Sequence, residues 1–124
     1  MLVDHKKYKN TKITEADIVY NILKEIFDTL EPFEKDKEHF YAIGLTRRNT
    51  IRYIDQVSIG SMIGTVAEPR EIFRMAIHQA VGGGIILAHN HPSSNLKPSE
   101  ADIRLTRKVK NAGVCLQTNA NFYS

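Results

Sequence analysis

The sequence predicts a mixed α/β fold, a central sheet layered between helices, on three observations. Apolar residues recur near a 3.6-residue period over 14–30 and again over 69–81, the mark of two amphipathic helices. Two apolar runs, 38–45 and 51–59, are separated by the five polar residues TRRNT and read as a β-hairpin. A third run, Ile85, Ile86, Leu87 and Ala88, follows three glycines and supplies a strand after the second helix. At 124 residues the chain is one domain, long enough to bury a core without staples.

Taken in order, residues 1–13 lack periodicity and form an irregular arm that wanders or lies along a sheet edge; the body runs from 14 to 124. Thr14 and Asp17 have capping-box spacing, and Ile18, Tyr20, Ile22, Leu23, Ile26, Phe27 and Leu30 follow as the packing face of the first helix. EPFEKDKE, 31–38, is a charged connection. The strand EHFYAIGL is almost continuously apolar, as expected where both faces are covered. In 51–59 the odd positions are mostly apolar, which suits a half-buried antiparallel partner. Pro69 is placed as the first residue of the second helix, whose stripe is Ile72, Phe73, Ala76, Ile77, Ala80 and Val81. Arg70, Arg74 and Gln79 lie largely away from it, and Gly82–84 end it. A third helix spans 99–111 and closes near Asn111-Ala112-Gly113; residues 114–116 form a last short strand.

Composition narrows the function classes. A 42% apolar and 25% charged balance is that of a soluble globular protein, and no run reaches the roughly 20 apolar residues of a membrane span. The N-terminal dozen has no apolar h-region, so it is not a secretory signal. One cysteine, Cys115, fits a reducing compartment, which makes the cytoplasm the default, and excludes any zinc site with two cysteines. It reads as a small buried residue, since nothing marks an activating base. The net charge of +3 is modest. Lys6, Lys7, Lys9 and Lys12, and Arg104, Arg107, Lys108 and Lys110, belong to solvated faces without interleaved aromatics.

The informative stretch is 85–102, IILAHNHPSSNLKPSEAD. In extended chain, residues two apart share a side, so His89 and His91 can aim at one point while Asn90 turns away. Helical periodicity resumes at Ser99 and places Asp102 at the third helical position. Two imidazoles and a carboxylate are the ligand set of a catalytic Zn²⁺ site, whose fourth position is kept for water, lowering that water's pKa to about 7. The plain alternative is that Asp102 only completes an S-x-x-D capping box at a helix N-terminus. Ser99 caps the helix, serves the chemistry, or does both at different steps. His5, His39 and His78 have no ligand spacing, and Asn90 and Ser93 suit a loop-stiffening role.

These residues, His89-Asn90-His91-Pro92-Ser93-Ser94 followed by Pro98-Ser99-Glu100-Ala101-Asp102, resemble the JAMM motif of the JAB/MPN metallopeptidase superfamily, and within it the RadC family. The resemblance runs from the first helix to Gly113. It implies a cytidine-deaminase-like arrangement and zinc held by His89, His91 and Asp102. It further implies that Ser99 stabilises the tetrahedral intermediate, and that an upstream glutamate acts as acid/base. Glu38 stands where the RadC pattern places that glutamate; the plain reading gives it to the charged connector with Glu34 and Asp36. Family members continue past the third helix through further strands, usually with an Asp-His pair, where this chain reads GVCLQTNANFYS. That tail is expected to supply no such strands, leaving an impaired site or a sheet edge open to homo-oligomerisation. Ser94 replaces the usual glycine, which strains the loop if it needs positive φ.

The activity implied is hydrolysis of an amide, peptide or isopeptide bond in a protein or peptide substrate. Two rivals stand beside it: a DNA-repair-associated protein that binds nucleic acid, as the RadC name implies, and a catalytically silent scaffold.

Overall fold

The computed structural model describes residues 2–3, 6–35, 37–60, 69–79, 82–89 and 119–123. They form α1 (Ala16–Asp28), a single turn α2 (Pro32–Lys35), β1 (Glu38–Leu45), β2 (Ile51–Gly60), α3 (Pro69–His78), β3 (Gly84–His89) and β4 (Asn119–Tyr123). The four strands make one mixed sheet in the order β2-β1-β3-β4. β1 pairs antiparallel with β2 and with β3, while β4 pairs parallel with β3.

Each face of this sheet carries a helix. Val19, Ile22 and Ile26 of α1 pack on Tyr41, Ile43, Leu45, Ile51, Ile54 and Ile86. Ile72, Phe73 and Ala76 of α3 pack on Phe40, Ala42, Ile85 and Leu87. The division follows from strand geometry, since successive residues of β1 and β3 point to opposite faces. It explains why both strands are apolar at nearly every position: Ala42 and Ile43 are each 0% exposed.

Several expectations are corrected by the packing. The first helix begins at Ala16, because Glu15 is extended (φ −156°, ψ 163°) and no side-chain cap is made there. The preceding chain is held in extended form by the Lys12↔Thr50 bridge and the bond from Ile13 N to Asn49 O, so Thr14 is not the cap. Val19, not Tyr20, completes the α1 stripe; Tyr20 is 61% exposed. Ile77 is likewise exposed, since at 3.6 residues per turn it lies about 90° from the centre of the stripe 72–73–76. Within the connection, Pro32 opens α2, a position where its missing N–H costs nothing.

The alternation expected in 51–59 is also broken. Tyr53 opposes Gly44 while Ile51 opposes Leu45, leaving Arg52 as an extra residue, and Val57 is extra in the same way between Gln56 and Ser58. Such bulges reset which residues face inward. Ile51 and Ile54 therefore share the α1 face three residues apart. Gly44 is needed at its position, because a methyl there would overlap the buried Tyr53 ring.

The hairpin turn closes with Asn49 N donating to Thr46 O at 2.9 Å, Asn49 taking φ 60°, a conformation asparagine tolerates better than most residues. The N-terminal arm lies along the outer edge of β2: Val3 N donates to Ile54 O, Asn10 N to Ile51 O, and Ile51 N to Thr11 O. At the far side, residues 119–123 form β4 beside β3, so the expectation of a tail without strands is overturned. Asn119-Ala120-Asn121-Phe122 does alternate polar and apolar, over too few residues to stand out. The expected helix 99–111 and the strand 114–116 lie outside the described residues.

Candidate metal centre

β3 is the element that delivers the first predicted ligand. Its entry is fixed by Gly83, whose N–H donates to Leu45 O at 3.1 Å. A side chain at Gly83 would collide with the Leu45 and Thr46 carbonyls, so only glycine allows this approach. From there Ile85, Ile86, Leu87 and Ala88 run through the core, each at most 3% exposed, and His89 ends the strand at 4% exposure.

His89 opposes Phe40 in the β1–β3 register. The two rings stack, centroids 5.7 Å apart and planes within 6° of parallel. Stacking engages the faces of the rings; the nitrogen lone pairs of an imidazole lie in its plane, so a stacked ring can still ligate or hydrogen-bond through its edge. Phe40 thus sets the plane of His89. Sequence reading did not single it out, because its partner is chosen by a register between strands more than forty residues apart.

Glu38 is the first residue of β1 and opposes Gly60 of β2. It stands two positions from Phe40, about 7 Å along the strand, which with the inter-strand spacing puts its backbone roughly 8 Å from that of His89. The backbone therefore brings the predicted acid/base and the predicted first ligand to the same end of two paired strands. His91, Ser99 and Asp102 lie outside the described residues, as do Asn90, Ser93, Ser94, Cys115 and His5. Among the described residues there is no cluster of three or more metal-ligating side chains.

The other predicted candidates separate cleanly. His39 is 0% exposed. Its Nε2 donates to the Glu34 carbonyl at 2.7 Å and its Nδ1 accepts from Gln56 Nε2 at 3.0 Å, since a carbonyl can only accept. It also stacks on Tyr41 and meets the edge of Phe27, which makes it a core histidine joining α2, β1 and β2. His78 ends α3, and both it and Arg70 are exposed.

Three buried polar groups escaped notice in the sequence, Asp55, Tyr53 and Tyr41. Asp55 is 4% exposed on β2. Burial raises the Tyr53 phenol well above its usual range, and the Asp55 charge pushes it further in the same direction. Burial also raises Tyr41. Among the described residues neither phenol has a hydrogen-bond partner. Asp55 opposes Ala42 between the two register shifts of β2, and nothing in the local pattern announces those shifts. No described helix is long and apolar enough to cross a membrane.

Comparison with known proteins gives the family. Residues 13–120 match the model of the RadC-like JAB domain. A UPF0758 protein of Caldanaerobacter subterraneus is 37% identical over 105 residues, 85% of this chain and 42% of the relative. One from Chlorobium phaeovibrioides is 34% identical over 113 residues, 91% of this chain and 48% of its own. One from Alkaliphilus oremlandii is 39% identical over 107 residues, covering 86% and 44%. The chain spans less than half the length of these relatives. With a family match across most of its length, and with relatives 34% to 37% identical over more than four fifths of it, the chain belongs to the RadC family of the JAB/MPN superfamily.

Proposed function

We propose that this chain is a zinc-dependent hydrolase of amide, peptide or isopeptide bonds, its domain layered in the cytidine-deaminase-like manner of JAB proteins and acting in the cytoplasm. The observation that carries the reading is the β1–β3 register, which brings the start of one strand, Glu38, beside the end of the other, His89. The donor set fits the metal: His89, His91 and Asp102 would hold Zn²⁺ through two imidazole nitrogens and a carboxylate oxygen, leaving one tetrahedral position open. Zinc bound there supplies Lewis-acid polarisation of the scissile carbonyl and a lowered water pKa of about 7.

The chain's own groups do the rest. The Glu38 carboxylate takes a proton from the attacking water as the oxygen adds to the carbonyl carbon, then gives it to the nitrogen as the C–N bond breaks. The Ser99 hydroxyl donates a hydrogen bond to the developing oxyanion. Phe40 holds the His89 ring in one plane, which limits the reorganisation needed to bind the ion. The substrate is a protein or peptide.

Two experiments test this. Protein purified without a metal-affinity tag should contain about one zinc per chain by elemental analysis, and the double variant His89→Ala, His91→Ala should contain none. Equal metal in both removes the site. Glu38→Gln should keep its zinc yet lose cleavage of a peptide library, read by mass spectrometry, by about 10²–10⁴-fold. Undiminished cleavage would give the proton transfer to another group.

A further inference from the structure

The hairpin end of the sheet, opposite to the end where His89 lies, gathers positive charge from two stretches far apart in sequence. The arm residues 9–12 read KNTK, and the turn with its first strand residues, 46–52, reads TRRNTIR; neither contains an acidic residue. The Lys12↔Thr50 bridge and the bonds Asn10 N to Ile51 O and Ile51 N to Thr11 O lay one against the other. Lys9, Lys12, Arg47, Arg48 and Arg52 are all exposed. Arg52 is held outward as the extra residue of a bulge, and the Arg47 stem runs beside Gly82. Among the described residues none of these five cations has a carboxylate partner. Lys7, by contrast, is matched by Glu25 at 3.3 Å.

We propose that this surface binds the phosphate backbone of a nucleic-acid duplex without regard to sequence. Three chemical features favour that partner. Arginine presents a planar fork that fits phosphate oxygens bidentately, and three of the five cations are arginine. Protein partners are held by buried apolar anchors, yet among the described residues the large exposed apolar ones, Leu2, Tyr20, Phe33 and Ile77, all lie outside the patch. Single strands are held by stacking on aromatic rings, and neither stretch contains one. What remains is a compact array of cations and polar side chains, the equipment for backbone contact. The patch and the candidate metal centre lie at opposite ends of β3, about 17 Å apart along the strand, so the binding is independent of the hydrolase reading.

The test is a titration of the whole chain with a mixed-sequence 20-base-pair duplex between 25 and 200 mM salt. Neutralising four to five phosphates gives a slope of log K against log salt of about −3.6 to −4.5. The double variant Arg48→Glu, Arg52→Glu should weaken binding at least tenfold at 50 mM salt and flatten the slope. Lys24→Glu, Arg74→Glu, an equal charge change on exposed helical positions elsewhere, should alter it less than twofold. Circular dichroism of both variants confirms that they are folded, and Arg48→Ala, Arg52→Ala repeats the test with a smaller charge change. Equal weakening by the two Glu pairs, or no binding at 25 mM salt, overturns the assignment. So does tighter binding of a single strand of the same length, or of poly-glutamate, which would give the patch to another partner.

Discussion

Among single residues, His39 shows how burial decides a histidine's role. It lies fully buried with both ring nitrogens engaged, one by a carbonyl of α2 and one by a side chain of β2. Its removal deletes one bond to the Glu34 carbonyl, which keeps that from Lys37 N, deletes the bond from the Gln56 amide, and opens a cavity. His39→Ala should therefore cost about 2–4 kcal/mol in urea unfolding. The same variant should retain its zinc by elemental analysis, in contrast to the His89, His91 pair. Metal loss in folded His39→Ala protein would mean that this histidine supports the centre directly. The strand that ends at His89 was legible in the sequence, because a short β-prone apolar run after three glycines has few other meanings. The Phe40 stack beneath His89 was not, because a ring's neighbour across a sheet depends on register and bulges, which local patterns do not encode.

Among the elements, the arm and α1 are joined by a small polar cluster whose strength depends on pH. Tyr8 OH donates to Glu25 at 2.9 Å and Lys7 approaches the same carboxylate at 3.3 Å. The Tyr8 hydrogen bond first, then the Lys7 bond and charge, hold the Glu25 carboxyl below its ordinary value of 4.5. A depressed folded value means the stabilisation is complete above pH 4.5 and is lost as pH falls through the folded value. The thermal midpoint of the wild type should therefore exceed that of Glu25→Gln at pH 6, with the gap closing towards pH 3. A gap that holds constant would show the contact to be indifferent to ionisation. At this scale the sequence was informative wherever a pattern ran long: α1, the β1–β2 hairpin and α3 all stand near their expected places. It failed at the short features. The four-residue α2, the two bulges of β2 and the five-residue β4 are too brief for periodicity to register.

For the molecule as a whole, the sheet is bounded on one side by the arm and on the other by β4. β3, the most apolar strand, would become an edge if β4 were removed, and an unpaired apolar edge invites another copy to pair with it. A chain shortened to residue 118 should therefore self-associate at concentrations where the full chain elutes as a single species in size-exclusion chromatography. Unchanged elution would show that β3 is protected by other means.

The Gly83 contact with Leu45 has a further consequence for how this protein tolerates change. It pins one end of β3 to β1, and the ladder of backbone bonds between them carries that alignment through to the opposite end. The separation of Glu38 from His89 is thus measured out by rungs, not by the length of any connecting segment. Insertions between β2 and α3 should leave it untouched, whereas a slip of a single rung would turn the imidazole onto the α1 side of the sheet, away from anything the glutamate could serve.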